Sequence, residues 1–166
     1  MSDMAMPKWR RAVLKIGSGL IAPGGKKTST RHMLPIAGFI TDARNQGREI
    51  ILVSSGAVAS GLAIQPGLLR RPSRSIPEKQ ALAAIGQPLL MANWSRFFDF
   101  PCAQLLLTYD DIHTRKRFVN AKNTTRPPLL PGCLPIVNEN DTVQAETPKV
   151  GDNDNLPAYV AMLAAA

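Results

Sequence analysis

Apolar positions along the chain fall into short dense runs, separated by stretches where they recur every three or four residues. That alternation predicts strands interleaved with helices. Arg11-Ala-Val-Leu-Lys-Ile16, closed by Gly17, predicts a buried first strand. Gly17-Ser18-Gly19 and Pro23-Gly24-Gly25 predict turns. From Thr28 or Thr30 to about Gln46, Leu34, Ala37, Ile40 and Ala43 keep helical spacing, with Gly47 as the stop. Glu49 to Ser54 is almost continuously apolar, the mark of a strand covered on both faces. The small residues Ala57 to Gly61 predict a short, tightly packed helix, and Pro66 to Arg74 a loop.

Ser75-Ile-Pro-Glu78 has capping-box form and predicts a helix running to about Phe98, with a kink at Gly86-Gln87-Pro88. Cys102 to Leu107 predicts the third strand, Ile112 to Thr124 a helix, and Leu134 to Asn138 the fourth strand. Val143 to Val150 suits a small hairpin around Thr147-Pro148. Asp152 to Ala166 predicts a last helix, in which Pro157 is tolerable only within the first turn. This order implies an α/β fold on a mainly parallel sheet, with a tail over 1–10 and one domain over 11–166. Ligands of such sheets bind beyond the carboxyl ends of the strands. Lys15 and Gly17, Ser55, Thr108 and the stretch Asn138 to Asp141 are therefore expected to converge.

Composition narrows the class. The 166 residues are 45% apolar, enough for one buried core and too many for a disordered chain. Apolar runs such as Leu34 to Ile40 are broken too early to span a membrane, and the start Met1-Ser2-Asp3-Met4 lacks a secretory pattern, so a cytoplasmic protein is expected. Cys102 and Cys133 are too few and too distant in sequence for a disulfide framework or metal cage. The net charge of +8 is uneven: residues 1–127 carry 19 Lys/Arg against seven Asp/Glu, and residues 128–166 one lysine against five acids. Basic clusters such as Arg115-Lys116-Arg117 have no interleaved aromatics or recognition-helix pattern, so a surface attracting anionic metabolites fits better than a nucleic-acid interface.

The motifs carry the chemistry. Lys15-Ile-Gly17-Ser18-Gly19 could set an ammonium and backbone amides on phosphate oxygens, and reads equally as a tight turn beside an exposed lysine. Gly17-Ser-Gly-Leu-Ile-Ala22 fits a dinucleotide pattern, but Pro23-Gly24-Gly25 forbids the long helix that pattern needs. No Walker loop is present. Ser54-Ser55-Gly56 lacks the glycine of a nucleophile elbow, since Val53 stands there. A hydroxyl with helix-start amides could cradle a carboxylate, or Ser55 could be an ordinary cap. Asn138-Glu-Asn-Asp141 and Gly151-Asp152-Asn153-Asp154-Asn155 are the densest acceptor clusters. Carboxylates so close need a cation, a ligand ammonium or lysines. A calcium loop fails because Leu156 and Pro157 replace its next ligand and turn glycine. Acceptors here could hold an amino group while Asp154 anchors Lys15, or they could be solvated capping loops. Asn120 and Asn123 could share one helix side.

In order along the chain, Lys15-Ile-Gly-Ser18, Ser54-Ser-Gly-Ala57, Ala83-Ala-Ile-Gly-Gln87, Arg117 to Thr124, Pro135-Ile-Val-Asn-Glu-Asn-Asp141 and Gly151-Asp-Asn-Asp-Asn-Leu156 closely resemble the glutamate 5-kinases of the amino acid kinase family. The Asn138–Asp141 and Gly151–Leu156 blocks argue against another kinase of the same fold, such as the acetylglutamate or uridylate kinases. The resemblance implies a three-layer αβα sandwich and phosphorylation of the γ-carboxylate of L-glutamate by ATP and Mg2+, opening proline synthesis under feedback by proline, in a homo-oligomer. It implies that Lys15, Gly17 and Ser18 meet the transferred phosphoryl group and that Ser55, Gly56, Asp141 and Asn153 bind glutamate, supported by Asn138 and Asp152. Asp154 corresponds to the aspartate that organises catalytic lysines. The family domain runs on past this point with the loops that hold ATP, so the glutamate half is expected here without the nucleotide half. A non-catalytic module that binds glutamate or proline, or pairs with a partner, is the competing expectation. Thr125-Arg-Pro-Pro128 should end its helix early.

Overall fold

The computed structural model describes residues 8–25, 28–65, 67, 73–125, 132–143 and 152–164. Among these residues, four parallel strands lie in the order β1-β2-β4-β3: β1 Arg11–Ile16, β2 Glu49–Ser54, β3 Cys102–Leu107 and β4 Leu134–Glu139. All four carboxyl ends therefore share one edge. One face of the sheet packs Leu52, Leu134 and Ile136 against α2 (Met33–Asn45) and α4 (Ile76–Ser95), around the fully buried Ile40, Leu90 and Trp94. The other face packs Ile51, Val53, Leu105 and Val137 against α7 (Asp152–Ala164) through Leu156, Val160 and Leu163. The result is an αβα sandwich; β2 is buried on both faces, as its apolar run predicts, and so is β4.

Several boundaries differ from the sequence expectation for identifiable reasons. Neither Thr28 nor Thr30 caps α2. The Thr30 carbonyl accepts from Met33 N and Leu34 N (both 3.1 Å), and the helix starts at Met33, which places Pro35 in the first turn where no donor is needed. Its end is a Schellman motif: Arg48 N donates to Ala43 O (3.0 Å) and Gly47 N to Arg44 O (2.9 Å), with Gly47 at φ 73°. The expected turn after Gly17 contains a four-residue helix, α1 (Ser18–Ile21), pinned by buried Ile21. The Ser75–Glu78 capping box forms as predicted, and α4 passes through Pro88 as one helix, ending at Ser95 rather than Phe98.

The helix expected over Ile112 to Thr124 is two helices, α5 (Tyr109–His113) and α6 (Arg115–Thr125), because Thr114 is extended (φ −91°, ψ 114°) and a second capping box, Thr108 with Asp111, starts α5 earlier. The strand expected to stop at Asn138 reaches Glu139. Pro157 is the sixth residue of α7, beyond the first turn, and the helix continues through it. Most of the hairpin expected over Val143 to Val150 lies outside the described residues.

Between α3 (Ala57–Ile64) and α4 the backbones nearly touch. A β-carbon on Gly61 would stand 2.1 Å from Leu82 O, and one on Gly86 1.8 Å from Ala57 O. The run of small residues is required by this approach.

Candidate functional site

The parallel sheet brings the loops after all four strands to one edge. Backbone hydrogen bonds tie them in pairs: Ser55 N donates to Ile16 O (3.0 Å), joining the ends of β2 and β1, and Asn140 N donates to Leu107 O (2.9 Å), joining those of β4 and β3. Asp141 lines a small pocket together with Ala57, Gln87, Asn140 and Thr142, so the Ser55-Gly56-Ala57 turn and the loop after β4 meet there. Five of the expected site positions, Lys15, Gly17, Ser55, Gly56 and Asp141, thus stand on the same rim.

Lys15 is the fifth residue of β1, level with Val53 of β2, and its side chain is exposed. Gly17 caps α1 without a side-chain bond, and β-carbons placed on Gly17 or Gly19 would meet nothing within 4 Å. Ser18, also exposed, opens α1, and the first amides of a helix have no acceptor within it. Ser55 does not cap α3. Gly56 occupies that position at φ 117°, held against Ile21, with no side-chain cap bond, so the Ser55 hydroxyl is not engaged in capping. Ser54 instead is structural: its buried hydroxyl accepts from Trp94 Nε1 at 2.8 Å.

Asp141 is half-buried, and burial alone raises its carboxyl above the usual aspartate value. No hydrogen bond or ion pair partners it among the described residues. Asn138 is the opposite case. It is buried, its amide donates to Gln87 Oε1 (2.9 Å), and its carbonyl accepts from Glu139 N (2.9 Å). Gln87 Nε2 in turn donates to Gln104 Oε1 (3.0 Å). Asn138 therefore fixes the turn that carries Asp141. Gln87, the last residue of the Ala83–Gln87 motif, thus joins the site, and that motif is the sequence signal for it. Thr108 is occupied by its cap, accepting from Asp111 N at 3.2 Å. Burial would raise the Asp111 carboxyl, but hydrogen bonds from Thr108 and Arg117 outweigh it and hold it below its usual value. Asp152, Asn153 and Asp154 form the first turn of α7, and their side chains lie outside the described residues. Asn120 and Asn123 are exposed on α6.

Residues 10–166 match the model of the amino acid kinase family. The chain belongs to that family. A glutamate 5-kinase of Salinibacter ruber is 62% identical over all 166 residues, and those of Xylella fastidiosa and Idiomarina loihiensis are 50% and 49% identical over 161 and 160. The chain spans 44%, 42% and 43% of these relatives' lengths. A carbamate kinase of Giardia shares the fold at 14% identity, with a TM-score of 0.58 over 94% of this chain and 71% of that one. For an amino acid kinase fold, the rim just described is where the strand-end rule places the ligand. Among the described residues no helix is long and apolar enough to cross a membrane.

Proposed function

We propose that this chain forms the acceptor side of a glutamate 5-kinase, binding L-glutamate so that its γ-carboxylate takes a phosphoryl group from MgATP. The observation that carries this reading is Asp141: a half-buried carboxylate without a partner among the described residues, beside the start of α3. A desolvated carboxylate calls for a cation, and the α-ammonium of an amino acid supplies one. The Ser55 hydroxyl and the α3 amides behind Gly56 suit its α-carboxylate, by hydrogen bond and helix dipole. Asn153 and Asp152, at the head of α7, complete the proposed contacts.

A γ-carboxylate is ionised at neutral pH, so the protein needs no general base to activate it. It must instead hold two anions together, which requires positioning and neutralised charge. Lys15 would contact the phosphoryl oxygens, with the amides of Gly17 and Ser18 approaching freely because the glycine faces there are open. Asp154 would orient the lysine. ATP with Mg2+ supplies the phosphoryl group when bound. A cytoplasmic homo-oligomer restrained by proline belongs to the same reading.

Titration calorimetry with L-glutamate tests it. Binding by the wild type that is lost in Asp141→Asn and weakened in Ser55→Ala is expected, and a wild type that binds no glutamate overturns the reading. The chain alone, which spans 44% of its relative's length, should bind glutamate and form negligible γ-glutamyl phosphate from ATP, and turnover by the purified chain would overturn that expectation.

A further inference from the structure

At the opposite edge of the sheet, where the strands begin, the fold brings together two residues that are distant in sequence. Cys102 opens β3 and pairs in register with Leu134, the residue after Cys133. Leu134 N donates to Pro101 O at 2.8 Å, locking the two strand starts together. Parallel strands about 4.8 Å apart, with about 3.3 Å per residue, put the α-carbons of Cys102 and Cys133 roughly 5.8 Å apart. A disulfide spans roughly 4.4–6.8 Å between α-carbons. Cys133 follows Gly132 (φ 75°) and precedes the strand, so the alternation of β4 does not dictate its side-chain direction. Both thiols are free and half-buried.

Arg44 fastens this corner. Its guanidinium donates to Gly132 O (2.7 Å) and Cys133 O (3.1 Å) and lies over the Phe100 ring at 4.2 Å. Cys133 borders a cleft of about 260 Å³ that is also lined by Arg11, Arg44 and Arg48. Glu49 in that cleft pairs with Arg11 (2.5 Å), whereas Arg44 and Arg48 have no carboxylate partner among the described residues. Arg48 lies over the Trp9 ring at 4.7 Å, and three guanidinium groups face one carboxylate around the cleft, a charge balance that suits a small anion, and Cys133 is part of its lining.

We propose that Cys133 and Cys102 form a dithiol that closes to a disulfide by exchange with a small anionic disulfide, such as glutathione disulfide, admitted by this cleft. The Cys133 thiolate attacks one sulfur of the incoming disulfide, forming a mixed disulfide and releasing one thiolate, which takes up the proton Cys133 lost. The Cys102 thiolate then attacks the Cys133 sulfur, closing the intramolecular bond and releasing the second thiol. The small disulfide is reduced by two electrons and the protein dithiol is oxidised by two. Burial raises the Cys102 thiol above its usual value, against a hydrogen bond with Ser95 and the Arg44 charge that lower it, which suits the second step better than the first. In a reducing compartment such a bond is transient.

The test treats the full chain with glutathione disulfide and follows intact mass without reductant. The expected product has lost two hydrogen atoms and gives a proteolytic fragment joining Cys102 to Cys133. Cys102→Ser should stop at a stable glutathione adduct on Cys133. A wild type that accumulates that adduct without closing, or leaves both thiols open to alkylation, overturns the proposal, and this reading needs no variant to fold. Arg48→Gln should slow the reaction several-fold with glutathione disulfide at low salt and leave it unchanged with neutral hydroxyethyl disulfide. Equal slowing with both reagents, or none with either, would remove the cleft from the mechanism.

Discussion

Gly86 of α4 lies against Ala57 of α3 so closely that a β-carbon on the glycine would stand 1.8 Å from the Ala57 carbonyl oxygen and 2.4 Å from Gly61 N. Both obstacles are backbone, so no side-chain rotation relieves them. The contact also positions chemistry, because the residue after Gly86 is Gln87, which bonds Asn138 below the loop of Asp141.

Gly86→Ala should therefore destabilise the protein by about 3 kcal/mol, toward the upper end of the usual range for overpacking. Urea unfolding measures it. A loss no larger than that of an alanine placed at exposed Gly38, where nothing lies within 4 Å, would mean the helices separate freely.

Ser54→Ala leaves the buried Trp94 indole N–H without its acceptor, and Trp94 is fully enclosed in the core. The expected loss is about 2 kcal/mol, the penalty for stranding a buried donor. Trp94→Phe should recover part of it in the double variant, since the stranded donor is then gone. A double-mutant cycle by thermal unfolding checks the coupling.

Strands and their shared edge were legible because a parallel sheet buried on both faces writes itself as Glu49 to Ser54 and Leu134 to Asn138, short apolar runs between helical spacings. The Ser75 cap was legible for the same reason: its hydrogen bonds are local. What sequence did not show depends on contacts across the chain. The Thr108–Asp111 box starts α5 three residues before the expected helix, and the extended backbone of Thr114 divides that helix from α6. Ser55 read as a possible cap because the hydroxyl is suitable, yet Gly56 takes the position through its positive φ against Ile21. Gln87 stands in the sequence only as part of an expected kink and of the Ala83–Gln87 motif, and only the fold supplies Asn138 and Gln104 on either side of it. Cys102 and Cys133 looked remote because register, not spacing, makes them neighbours.

The Thr108–Asp111 box makes a pH-dependent contribution whose sign is set. Hydrogen bonds hold the Asp111 carboxyl below its usual value despite burial, so its stabilisation is present above the unfolded value and is lost as pH falls through the folded one. Asp111→Asn should lower the thermal midpoint at neutral pH by an amount that vanishes in strong acid. Thr108→Ala, which removes the cap hydroxyl, should lose about 1 kcal/mol at neutral pH. A midpoint difference for Asp111→Asn that stays constant from neutral pH into strong acid would deny the cap its charge.

Asp141 should behave with the opposite sign. Burial raises its carboxyl, so the folded chain holds that proton more tightly than the unfolded chain does. The resulting stabilisation is complete below the unfolded value, about 3.9, and is lost as pH rises through the higher folded value. At neutral pH the buried charge is a liability, and Asp141→Asn should melt above the wild type, the gap closing as the medium is acidified. An ammonium-bearing ligand removes that liability by pairing with the carboxylate. Saturating L-glutamate should therefore raise the wild-type midpoint at neutral pH, with less effect in acid, and leave Asp141→Asn unmoved. Glutarate, which has both carboxylates and no ammonium, should not replace it. Scanning calorimetry across this pH range with each ligand separates the terms: a higher-melting Asn variant with no glutamate response in the wild type would locate the strain at Asp141 and deny the site its ligand.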